Sequence, residues 1–194
     1  IRIENARRPA AGAIVHHGKV VFGSPKAGDQ AELKLDIQRR WDIMRNHTAT
    51  HLLHMALKQV LGDHARQAGS LVAPDRFRFD FTHPEAMTAE QLREVEKVVN
   101  DAILNNHNLV ILEKSQEDAL AEGATALFGE KYGQVVRTVS IGDEDRISYE
   151  LCGGTHVPET GLIGTFIITS ESSAAAGVRR IEAVSGRKAY DLIQ

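Results

Sequence analysis

Two short segments hold residues whose types and spacing suit one chemistry. The first is His47-Thr-Ala-Thr-His51. On a helix, an i, i+4 spacing puts both imidazoles on one face, about 40° apart around the axis. The second is Cys152-Gly-Gly-Thr-His156, about 100 residues later, where a strand is expected to end. Two glycines allow a tight turn and close backbone approach, so a thiolate and an imidazole four apart can wrap around one ion. His47, His51, Cys152 and His156 together form a donor set suited to Zn²⁺. Taken singly, each half is weaker. An isolated HxxxH also describes a solvated histidine face, and a lone cysteine is commonly a buried inert thiol. His54 lies on the same helix face and is a rival ligand.

The type of site is open at this level. A hydrolytic zincin needs HExxH with Glu as general base, and here Thr48 stands in that place. Three imidazoles and a thiolate fill a tetrahedral shell, as structural sites do; catalysis would need a fifth position or a metal that grips a substrate group. A cysteine nucleophile, Cys152 with a histidine base, is a weaker reading. Three further features are candidates. Gln67, in Gln67-Ala-Gly-Ser70, can orient water or a carbonyl, although a surface glutamine looks the same. Arg179 and Arg180 lie on an apolar strand and suit phosphate contacts, or simply solvation. Thr50 sits between the helical histidines, with its hydroxyl turned to the metal or bonded back to the helix.

The elements that must position these residues follow from periodicity. Residues 1–10 read as a linker or strand remnant, and residues 12–22 as a hairpin turning at His17-Gly18. Residues 31–39 alternate, with Leu33, Leu35 and Ile37 on one face, which predicts a half-buried strand. Asn46 is the expected N-cap of a helix whose apolar stripe is Ala49, Leu52, Leu53, Ala56, Leu57 and Val60, ended by Gly62. Residues 69–82 are strand-like. Thr88-Ala-Glu-Gln91 is a capping box opening a helix with Leu92, Val95, Val99 and Ile103 inward. Short elements follow: a strand at 109–112, a helix at 115–121, strands near 135–141, 147–152, 163–170 and 178–184, and a helix from Arg187. This is an α+β pattern, not alternating βαβ. The expected organisation is the end of a small β-domain in residues 1–40, a partial small β-barrel by the family resemblance given below, then a two-layer α/β domain with an antiparallel sheet and two main helices in 41–186. Residues 187–194 begin a following helix.

Composition bounds the function classes. The chain has 194 residues, 23 Lys+Arg against 26 Asp+Glu, 42% apolar and 25% charged residues. That is ordinary for a globular protein and excludes disorder, collagen and coiled coil as the main class. No apolar run approaches the roughly 18 residues needed to cross a bilayer. One cysteine cannot form an internal disulfide. A net charge of −3 gives no support for a strongly basic nucleic-acid binder. With Ile1 first and no signal peptide, the expectation is a cytoplasmic chain cut from a larger protein.

Several motifs occur in one order: Arg45-Asn-His-Thr-Ala-Thr-His-Leu-Leu-His54, Gln67-Ala-Gly-Ser-Leu-Val72, Arg78-Phe-Asp-Phe81, Leu151-Cys-Gly-Gly-Thr-His156 and Arg179-Arg-Ile-Glu-Ala183. From about residue 12 to the C-terminus the chain closely resembles the editing domain of alanyl-tRNA synthetase, shared with the free-standing AlaX-type deacylases. The resemblance implies hydrolysis of the ester that joins a wrong serine or glycine to the 3′ end of tRNA(Ala). A pocket cannot well reject a smaller residue, or one that adds only a hydroxyl, so a second sieve is needed. It further implies that His47, His51, Cys152 and His156 are zinc ligands and that Thr50 senses the serine hydroxyl. Gln67 is then tied to editing, and Arg179 and Arg180 lie near the tRNA end. Backbone N–H groups of Gly153 and Gly154 are candidate oxyanion donors, since no carboxylate is expected in the place of a general base. The implied partners are the acceptor end of tRNA(Ala) and the rest of the synthetase. The ATP-binding motifs of a synthetase are absent from these residues, so aminoacylation by them is not expected. Related readings are a threonyl-tRNA synthetase-type editing domain and a zinc-stabilised tRNA-binding module without turnover.

Overall fold

The computed structural model describes residues 1–10, 12–126 and 132–194. It divides into two units, Ile1–Leu35 and Asp36–Gln194. In the first unit, β1 (Arg2–Ala10) pairs antiparallel with β2 (Ala13–Lys19), closing at Ala10 opposite Ala13. Residues 1–10 are thus a strand rather than a linker. The chain reverses before β2 and not at His17-Gly18, which pair with Asn5 and Ile3 inside the ladder. Gly18 is small for another reason: a Cβ there would strike the carbonyl of Arg2. This hairpin is the only sheet of the first unit among the described residues.

The expected strand at 31–39 does not form. Residues 31–36 have no regular structure, and Leu33 and Leu35 are exposed. Alternation makes a strand only where a sheet edge receives its N–H and C=O groups. Instead Asp36 accepts a bond from the Arg39 N–H and caps a long helix, α1 (Ile37–Leu61), ended by Gly62 at φ +106°. Asn46 is therefore mid-helix rather than its cap. Its buried amide donates to the Ala73 carbonyl (2.8 Å) and accepts from the Ser185 hydroxyl (2.7 Å). Such a fully bonded buried amide ties α1 to two separate strand ends.

The remaining elements run β3 (Gln67–Val72), β4 (Phe77–Thr82), α2 (Ala89–Leu104), β5 (Leu109–Ser115), α3 (Gln116–Ala121), β6 (Val135–Ile141) and β7 (Ser148–Leu151). After a 3₁₀ turn at Thr160–Ile163 come β8 (Phe166–Ala175), β9 (Val178–Ser185) and α4 (Arg187–Ile193). The capping box before α2 is present in full: Thr88 accepts from the Gln91 N–H, and Gln91 accepts from the Thr88 N–H. Two antiparallel sheets form, in strand orders β3-β4-β9-β8 and β5-β6-β7. The fold is α+β, with no closed barrel among the described residues.

The main core lies between the four-stranded sheet and helices α1 and α2. Phe77, Phe79 and Phe81 alternate along β4, so their rings share one face. They are fully buried with Leu52, Leu53 and Leu57 of α1, Val95 and Val99 of α2, and Ile181 of β9. Each such side chain contributes about 1.5–3 kcal/mol of burial. A smaller cluster of Ala119, Ala124, Val136 and Leu151 packs under the three-stranded sheet. α1 is thus clamped by apolar packing while still presenting its histidines.

Asp36→Ala removes a helix cap and is expected to cost about 1 kcal/mol in urea unfolding. Asn46→Ala leaves the Ser185 hydroxyl and Ala73 carbonyl without their partner, at a cost of about 2 kcal/mol or more. A larger loss for Asp36→Ala than for Asn46→Ala would contradict this assignment of the helix start.

Candidate metal centre

His47, His51 and His54 occupy one stripe of α1 by their i, i+4, i+7 spacing. Far from being solvated, His51 and His54 are buried, and His47 is half-buried. Opposite them β7 ends, and the chain turns through Cys152-Gly153-Gly154-Thr155-His156. The donor atoms of His47, His51, Cys152 and His156 all lie within 4.8 Å of one another. Cys152 Sγ is 3.4 Å from His47 Nε2 and 3.3 Å from His156 Nε2. Zn–N bonds near 2.0 Å and a Zn–S bond near 2.3 Å space tetrahedral donors by about 3.3–3.6 Å. The two Cys152 distances match that spacing, and the donor set suits a zinc ion in its chemistry. His54 is not in the group; its Nδ1 faces Glu150 instead.

The turn is held by backbone geometry. A Cβ at Gly154 would overlap the His47 ring, whereas one at Gly153 would meet nothing. Only Gly154 is therefore required for His47 to approach. The Arg137 guanidinium on β6 donates to the carbonyls of Cys152 (2.8 Å) and Gly154 (2.6 Å) and fixes the turn. The Gly154 N–H points at Cys152 Sγ, 3.5 Å away.

Two buried residues that periodicity does not single out orient the imidazoles. Thr48 Oγ1 accepts from the Val157 N–H and lies 3.2 Å from His156 Nδ1, leaving His156 Nε2 for the sulfur side. Glu150, two residues before Cys152 on β7, places one carboxylate oxygen 2.7 Å from His51 Nδ1 and the other 2.7 Å from His54 Nδ1. A carboxylate thus stands beside the site, where the sequence led us to expect none. Its one sequence signal is the strand period, which puts residues 150 and 152 on one face.

The remaining candidates are placed as follows. Thr50 donates to the Asn46 carbonyl at 2.8 Å, the helix-bonded alternative. Gln67 starts β3 and donates to Ser70. Arg179 and Arg180 are both ion-paired. Arg179 makes a two-pronged pair with Glu171 (2.5 and 2.9 Å), and Arg180 another with Asp80 (2.7 and 2.9 Å). Being adjacent on β9, they point to opposite faces of the sheet.

The electrostatics favour a charged, proton-compensated centre. Burial raises the Cys152 thiol, but hydrogen bonds from His156, His47 and His51 outweigh it and hold it down to about 3. Burial likewise opposes ionisation of Glu150, yet His51 and His54 keep its carboxyl well below the usual range. His51 is pushed up to about 10, the attraction of Glu150 and Cys152 exceeding its desolvation. Desolvation dominates at His156, lowering it to about 4.

Residues 136–182 match the family described as the threonyl and alanyl tRNA synthetase second additional domain. An alanine--tRNA ligase of Desulforamulus reducens is 53% identical over 186 residues, 96% of this chain and 21% of that protein. The chain belongs to this family, on its alanyl side. The alanine--tRNA ligase of Chloroflexus aurantiacus is 53% identical over 203 residues, with 100% of the chain and 23% of that protein covered. That of Acidothermus cellulolyticus is 51% identical over 190 residues, with 98% and 21% covered. The domain thus spans about a fifth of the length of these curated relatives. No helix among its described residues is long and apolar enough to cross a membrane.

Two outcomes test the centre. Gly154→Ala is expected to weaken zinc binding at least about tenfold, with the far-ultraviolet circular dichroism unchanged; equal affinity would contradict the close approach of His47. His51, with its pKa raised to about 10, carries a proton at pH 7 when no metal is present. A metal ligand must offer a lone pair, so zinc uptake at pH 7 is expected to release about one proton per ion and to weaken as pH falls. Uptake without proton release, followed with an indicator dye in weak buffer, would contradict it.

Proposed function

We propose that this domain hydrolyses the ester of mischarged tRNA(Ala), releasing serine or glycine from the 3′ end, in the cytoplasm. The observation that supports the reading best is the convergence of His47, His51, Cys152 and His156 in a chain of the alanyl-tRNA synthetase family. These four residues would hold Zn²⁺. When bound, zinc supplies Lewis acidity and a positive charge against which a substrate amine, hydroxyl or water is oriented. The chain's own groups do the rest. The Thr50 O–H is committed to the Asn46 carbonyl, so its oxygen is left as an acceptor. A serine hydroxyl can donate to it and an alanine methyl cannot, which is the discrimination a second sieve needs. The Gly153 N–H is the proposed oxyanion donor, since that of Gly154 is turned to the sulfur. Gln67 would orient the ester carbonyl or the attacking water. Arg179 and Arg180 would lie along the acceptor end, where a phosphate must compete with Glu171 and Asp80 for them.

One observation favours a second reading. Four protein donors already complete a tetrahedron, as in structural zinc sites. The domain would then be a zinc-stabilised tRNA-binding module without turnover.

Single-turnover deacylation of Ser-tRNA(Ala) against Ala-tRNA(Ala) separates the two. Enzymatic editing predicts faster cleavage of the serine ester and a loss of about 100-fold or more in Cys152→Ala and His51→Ala, accompanied by lost zinc. tRNA binding without ester cleavage in the unaltered domain would favour the module. Full activity in a zinc-free variant would overturn the metal-centred version.

A further inference from the structure

We propose that Glu150 is the positioning residue of the metal centre, aligning His51 through one carboxylate oxygen while His54 braces the other. The inference rests on the metal reading and deepens it. Glu150 is 5% exposed, and its side-chain partners among the described residues are the two imidazoles. Each oxygen faces one Nδ1 at 2.7 Å. At His54 this is a hydrogen bond; at His51 it is a close charge contact without hydrogen-bond alignment of the ring N–H. A proton kept at Nδ1, on the carboxylate side, leaves the Nε2 lone pair of His51 for the ion. A metal-ligating histidine is commonly oriented this way by a carboxylate.

His54 gives the arrangement its second support. Its Nε2 is buried with no hydrogen-bond partner among the described residues, and its ring rests 5.4 Å from that of Phe79. Its one polar side-chain contact among the described residues is Glu150. A histidine buried for packing alone would be replaced at less cost by an apolar side chain of similar size. Charge balance gives the same answer. Three neutral imidazoles, one thiolate and Zn²⁺ sum to one positive charge; a buried carboxylate brings the centre to neutrality. A neutral metal-loaded centre avoids an uncompensated buried charge, which is the costly case.

Glu150→Gln keeps the shape but loses this capacity. Its amide oxygen accepts from one imidazole, and its NH₂ faces the other imidazole's N–H. Zinc affinity is measured by chelator competition in the 194-residue chain, with the visible spectrum of the Co²⁺ form and ¹⁵N shifts reporting the His51 tautomer. The expected result is affinity weakened about 10–100-fold in Glu150→Gln. The cobalt band should shift and both His51 tautomers should become populated. Glu150→Asp should recover part of the affinity. His54→Gln keeps Glu150 and all four ligands, so it tests the brace even where Glu150→Gln fails to fold; there a loss of about threefold or more is expected. Unchanged zinc affinity and cobalt spectrum in Glu150→Gln and His54→Gln, with only thermal stability reduced, would overturn the proposal and leave the metal site standing. Absence of zinc binding by the unaltered chain would overturn the metal reading itself, and this proposal with it.

Discussion

A thiolate and a carboxylate buried together in a small domain are the constraint to which the rest of the structure answers. Cys152 and Glu150 sit on one face at the end of β7, where water cannot solvate them. Burial of such charges is tolerable only against compensating positive charge or hydrogen bonds. Three histidines of α1 and one of the following turn supply both. This is why α1 must dock against β7 with its histidine stripe inward, and why its apolar residues must grip the four-stranded sheet beside it. Phe77, Phe79 and Phe81 provide that grip, and Asn46 fixes the helix along its length through Ala73 and Ser185.

The same constraint divides the labour among small features of the turn. Gly154 lets the His47 ring approach, Arg137 holds the two carbonyls that flank it, and Thr48 sets the His156 ring. None of these residues needs to touch a substrate. Their work is to keep four donor atoms within a span that one ion can bridge. Ion pairs on the sheet play a different part. Arg179 and Arg180 are oriented by Glu171 and Asp80, so two guanidinium groups are held in place on opposite faces of β9.

Much of this was legible in the sequence, and what was not has a common cause. Periodicity gave the inward faces of α1 and α2, and Thr88 and Gln91 gave a helix start, because these depend on residues within a turn or two of one another. The four donors were legible because imidazole and thiolate at i, i+4 spacing have few other joint uses. The strand expected at 31–39 failed because alternation says nothing about whether a sheet edge is near. The start of α1 was missed for the same reason: Asn46 has a cap's side chain, but its partners lie on distant strands. Glu150 and Arg137 escaped because their partners are fixed only by the pairing of β6 with β7 and the packing of α1.

The central claim is that three imidazoles and one thiolate of this chain hold a single zinc ion. Zinc K-edge X-ray absorption of the domain loaded with one equivalent of Zn²⁺ tests it most directly. The account predicts one sulfur at about 2.3 Å and three nitrogens at about 2.0 Å, with the sulfur shell lost in Cys152→Ser. A zinc environment without sulfur, or one unaltered by that substitution, would contradict it.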